Sequence, residues 1–111
     1  MSLQSYEAVQ NQTETPRQTE YRLLALVTKE LMSAQEDTGL GRIGAVDWNR
    51  RLWLTLQMDL ASAENSLPDE LKARLISISI WVDKFSRMVL RGEAEIEPLI
   101  RVNRTIMEAL L

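Results

Sequence analysis

The side chains able to do chemistry here are carboxylates, arginines, lysines, serines and two tyrosines, because the 111 residues include neither cysteine nor histidine. That absence removes thiolate nucleophiles, imidazole bases, disulfides and nearly every zinc arrangement. The acidic candidates Asp59, Glu64, Asp69 and Glu70 read better as surface or helix-cap residues than as an acid–base pair. No catalytic residue, metal ligand, cofactor or small-molecule substrate is expected. The other chemistry on offer is arginine beside tryptophan. Asp47-Trp48-Asn49-Arg50-Arg51-Leu52-Trp53 holds two of the three tryptophans and two adjacent arginines. Arginine and an exposed ring can stack on RNA bases; Arg42 is a further candidate, joined by Arg101 and Arg104 only if the third and fifth helices are neighbours. The net charge is −3, however, and no broad basic field accompanies them. Direct RNA binding is therefore not expected. These arginines read instead as partners of Asp47, Glu97 or Glu108, or as contacts to a protein.

The elements that position these residues are helices. Glycines (four) and prolines (three) are few and fall at the edges of long periodic segments. The periodicity predicts helices over 3–12, 16–35, 47–63, 68–91 and 97–110. Thr15-Pro16-Arg17-Gln18 has the spacing of a capping box with proline in the first turn. Asp47 is expected to cap the third helix. The stretch before it holds Gly39, Gly41 and Gly44, and reads as a mobile connector with Leu40 and Ile43 pinned to the core. Residues 76–82 alternate like a strand, but helical phase continues on both sides, so a helix is expected. Leu71, Leu75, Ile78, Val82, Phe85 and Val89 repeat with a 4-3 rhythm along it. The fold class is all-α: one domain over 1–111, a compact bundle of four main helices plus a short N-terminal helix or arm. In that arm Leu3, Tyr6 and Val9 recur at three-residue spacing, and Tyr6 is expected to pack on the bundle as a lid rather than to serve a partner-binding arm.

Helical phase sorts the rest. Trp48, Trp53, Trp81 and Phe85 are expected as core anchors. Asn49 and Asn103 point into apolar arcs and are expected to be hydrogen-bonded locks that fix helix register, since an unpaired buried amide costs about 1–3 kcal/mol. Arg50, Arg51 and Arg104 fall outside those arcs and are the candidate partner contacts. Ile76 and Ile80 lie almost opposite the main stripe of their helix. They are expected either to be covered by neighbouring helices or to form part of a partner groove. Met58, Met88 and Met107 are expected to be core filler or, where they reach such a surface, to lend it adaptability. No apolar run approaches the ~20 residues that span a bilayer, and no secretory signal is apparent, so a cytoplasmic location is expected.

Taken together and in order, several segments resemble the FlaF family of flagellar biosynthesis regulators. They are Thr15-Pro16-Arg17, Glu20-Tyr21-Arg22-Leu23, the Asp47–Trp53 block, Leu67-Pro68-Asp69-Glu70-Leu71, Ile76–Val82 and Glu95–Met107. The resemblance implies a cytoplasmic protein that promotes flagellin production and binds flagellin as a chaperone-like export partner. The family is associated with an opposing regulator, FlbT, that acts on translation of flagellin messenger. An alternative implied role is therefore post-transcriptional, acting on flagellin mRNA directly or through FlbT. The resemblance brings no catalytic residue, metal or cofactor.

Overall fold

The computed structural model describes residues 14–111. The expectation for Leu3, Tyr6 and Val9 falls outside the described residues. Four helices follow in order: α1 (Pro16–Ser33), α2 (Leu40–Ala61), α3 (Asp69–Leu90) and α4 (Glu97–Leu110). Among the described residues there is no strand, and residues 76–82 lie inside α3. The fold is all-α.

Local chemistry explains where each helix starts and stops. Thr15 caps α1: its hydroxyl accepts from the Gln18 N–H at 3.1 Å, and the Gln18 side chain accepts from the Thr15 N–H at 2.9 Å. Two orphan donors are thus satisfied reciprocally, and Pro16 occupies the first turn. At the end of α3, Gly92 adopts φ 77°. Its N–H donates to the Val89 carbonyl and that of Glu93 to the Met88 carbonyl, the paired bonds of a Schellman stop.

The start of α2 differs from the expectation. The helix begins at Leu40, so Gly41 and Gly44 are helical and Asp47 is an interior residue rather than a cap. The reason is Asp37. Its carboxylate accepts from the Gly39 N–H at 2.7 Å and folds over the first turn, where negative charge meets the positive end of the helix dipole. A Cβ at Gly41 would run into that carboxylate. The glycine makes room for the acid instead of breaking the helix. Leu40 and Ile43 are exposed, not pinned to the core.

The buried stripe of α2 also differs from the expected arc. Val46, Asn49, Trp53, Leu56 and Leu60 face inward with a 3-4 rhythm. Trp48 sits about 100° from Asn49 around the helix and is 41% exposed, so it is not a core anchor. Trp53 is. On α3 the fully buried line is Ser79, Val82, Ser86 and Val89. Two serines thus stand where large side chains would hold α2 and α3 apart. Phe85 packs partly buried against the core. Trp81 lies on its ring, with centroids 4.8 Å apart, but remains 37% exposed and is a flank residue rather than a core one.

Helix α1 packs on both α2 and α4, α2 packs on α3, and α3 barely meets α4. The result is a slab of 44 × 40 × 21 Å, about two helix diameters thick. Val27, Leu31, Val46, Val82, Leu99 and Ile100 are among its fully buried residues.

Candidate binding groove

Two polar networks fix how the helices sit, and both bear on the surface left open. The first is buried. The Asn103 amide donates to Asn49 Oδ1 at 2.7 Å and to Thr28 Oγ1 at 3.1 Å, and its oxygen accepts from the Trp53 indole N–H at 2.9 Å. One α4 side chain thereby joins α1, α2 and α4. Asn49 and Asn103 are fully buried. A buried amide with its partners in place tolerates only one register, because any slip leaves the donors unpaired. On the far side, Asn49 Nδ2 and Ser86 Oγ have no partner.

The second network is a surface chain of charges. Arg51 bonds Asp47 at 2.8 Å, and Arg50 bonds Asp47 at 3.1 Å and Asp83 at 3.3 Å. Arg87 closes on Asp83 at 3.3 Å. The Arg50 guanidinium is held above its ordinary pKa by its hydrogen bonds to Asp47 and then Asp83. Arg50 is therefore a clamp between α2 and α3. Ser79, whose hydroxyl lies 3.0 Å from the Gln57 side chain and 2.6 Å from the Ile76 carbonyl, ties the same pair of helices.

Below this cinched middle the helices leave a space between them. The start of α1, the end of α2, the start of α3 and the end of α4 surround a groove of about 550 Å³. Its apolar wall comes from Leu24, Trp53, Leu56, Leu60, Ile106 and Leu110, and Leu67, Leu71 and Leu75 flank it from the α2–α3 loop and α3. Leu71, expected in the core stripe, is 42% exposed here. Arg17, Glu20, Asp59 and Glu64 also line the groove. Glu20 is pushed above the ordinary carboxylate range, first by burial and then by the Asp59 charge, with Arg17 opposing. Trp53 belongs to both regions: its N–H is held by Asn103 while its ring lines the groove.

A smaller cleft of about 270 Å³ separates α3 from α4, lined by Ile78, Trp81, Arg101, Val102, Thr105 and Ile106.

None of the five sequence-derived partner contacts lines either cavity. Arg50 and Arg51 are ion-paired, and Arg104 lies 3.2 Å from Met32 Sδ. Ile76 is half-buried, and Ile80 is 43% exposed. Met58 and Met88 are exposed, while Met107 packs on the core beside Thr28. The groove itself was not apparent from helical phase. Its wall residues carry the same periodic signal as the core, and several of them, Leu24, Trp53 and Leu60, are themselves buried.

The class of protein follows from these features: four helices sealed by a polar centre, with an apolar groove as the accessible feature. The model of the family described as flagellar protein FlaF matches residues 2–110. The chain belongs to the FlaF family. Comparison with curated proteins and with solved structures returned no match. Among the described residues, no helix is long and apolar enough to cross a membrane.

Proposed function

We propose that this chain serves flagellum biogenesis by taking an amphipathic terminal segment of flagellin into the groove between the helix ends, as a chaperone-like partner in the cytoplasm. The observation that carries this reading is the groove itself. At about 550 Å³ it falls within the roughly 300–1,000 Å³ of pockets that take defined ligands. Its apolar wall suits an amphipathic helix, whose i, i+3, i+4 and i+7 side chains enter such a groove. Flagellin's terminal segments pack against one another in the filament, so a free subunit needs that face covered. Binding would hold flagellin fit for export and favour its production, with an FlbT-type regulator acting in opposition.

Direct action on flagellin mRNA is the weaker reading. Arg50 and Arg51 are engaged by Asp47 and Asp83, and Arg42 donates to the Ala94 carbonyl at 3.3 Å. The test is co-purification of this protein with flagellin. Capture is expected to fall at least roughly tenfold when flagellin's terminal segment is deleted, or when Leu71→Glu places a charge on the groove wall. Capture that survives removal of both flagellin termini would refute the reading.

A further inference from the structure

The apolar wall of the groove carries a one-sided rim of charge. Among the described residues that line it, Glu20 from α1, Asp59 from α2 and Glu64 from the α2–α3 loop stand against a single cation, Arg17. Elsewhere on the surface Glu14, Asp47, Asp83 and Glu93 each hold an arginine within 3.3 Å. Glu20, Asp59 and Glu64 are in no ion pair among the described residues, and Asp59 accepts from the Asn65 amide at 3.2 Å. A carboxylate in open water needs no partner. Glu20 is half-buried, however, and burial followed by the Asp59 charge raises its pKa, with Arg17 opposing. Two like charges beside an apolar wall repel, and a segment laid over that wall takes water away from both. A neutral or acidic segment would leave them covered and unpaired. A segment that brings its own cation relieves them, so the rim favours one kind of occupant.

We infer that the groove selects amphipathic segments with a lysine or arginine beside the apolar face, its wall taking the apolar side chains while Glu20 and Asp59 receive the cation. This deepens the function proposed above and rests on its groove as the docking surface. Glu20 and Asp59 belong to α1 and α2, whereas Leu71 and Leu75 flank the groove from α3. The cation therefore also fixes which edge of the segment meets which helices, a choice that apolar contacts alone leave open.

Two dye-labelled synthetic helices test the selection on the full chain by fluorescence anisotropy. They share one leucine stripe at i, i+3, i+4 and i+7; lysines flank it in one and glutamates in the other. The lysine helix is expected to bind at least roughly tenfold more tightly at low salt, with the gap narrowing as salt screens the attraction. Glu20→Gln with Asp59→Asn keeps the shape of both side chains and is expected to remove most of the gap. Glu30→Gln with Glu36→Gln is the control. It deletes two exposed carboxylates that line neither cavity, Glu30 lying about 15 Å along α1 from Glu20. The gap is expected to survive there. Binding of neither helix, a gap that persists in Glu20→Gln with Asp59→Asn, or a gap lost equally in the control would overturn the inference. Equal affinity for the two helices would overturn it too, while leaving the groove as a docking surface. If the gap behaves as expected but flagellin capture is indifferent to Leu71→Glu, the selection stands and the choice of flagellin as occupant falls.

Discussion

The middle of the molecule and its groove end are built from the same helices under opposite rules. In the middle, directional bonds cross between helices: Asn103 has both amide hydrogens and its oxygen in use, and Arg50 spans two carboxylates. At the groove end, Leu56, Leu71 and Leu110 make apolar contacts that dictate no orientation. The difference teaches how one small fold serves two demands. Directional bonds fix one register, and the space left at the groove end offers non-directional surface that can accept side chains of varied shape. Trp53 couples the two, because the bond that locks its indole also sets the groove wall.

The comparison breaks most severely at Asn103. Asn103→Ala strands the Trp53 N–H and the Asn49 oxygen and leaves the Thr28 hydroxyl only its contact to the Met107 sulfur, and should cost about 3 kcal/mol or more in urea unfolding, from ~1–3 kcal/mol per stranded group. Asn49→Ala should cost clearly less, about 1–2 kcal/mol, because Asn49 contributes one accepted bond and carries an amide hydrogen donor already without a partner. Equal losses would mean that Asn103 is not the hub. Thr15→Ala, at the groove's edge, removes one half of the capping box and should lower stability by about 1 kcal/mol.

The smallest effect concerns Glu20. Burial and Asp59 raise its pKa in the folded state. The folded protein therefore binds this proton more readily than the unfolded chain does. The ionised group opposes folding above its folded pKa, and the penalty disappears as pH falls below the unfolded value. Glu20→Gln should thus raise the unfolding midpoint slightly at pH 7 and leave it unchanged at pH 3. A destabilising effect at pH 7 would show that the Arg17 attraction wins instead.

Much of this architecture was legible from residue spacing. The capping box at Thr15, the helix start at Pro98 and the inward phase of Asn49 and Asn103 are local signals, and local signals survive into the fold. Three things were not. The glycines before Asp47 look like a break, because nothing in their spacing reveals that Asp37 will fold over Gly41. Trp48 reads as an inward residue for a separate reason: it lies at the edge of a wide apolar arc, about 100° from the buried Asn49. The groove was hidden for a different reason. Leu24, Trp53, Leu71 and Ile106 come from four different helices, and periodicity reports which face is apolar but not how far it is covered.

The most direct test of the groove as the binding surface sets two exposed apolar positions of α3 against each other. Leu71 lines the groove, and Ile80 lies outside both cavities. With circular dichroism confirming that both variants fold, flagellin capture should be lost in Leu71→Glu and retained in Ile80→Glu. Capture lost in Ile80→Glu and retained in Leu71→Glu would contradict the account and move the binding surface to the outer flank of α3.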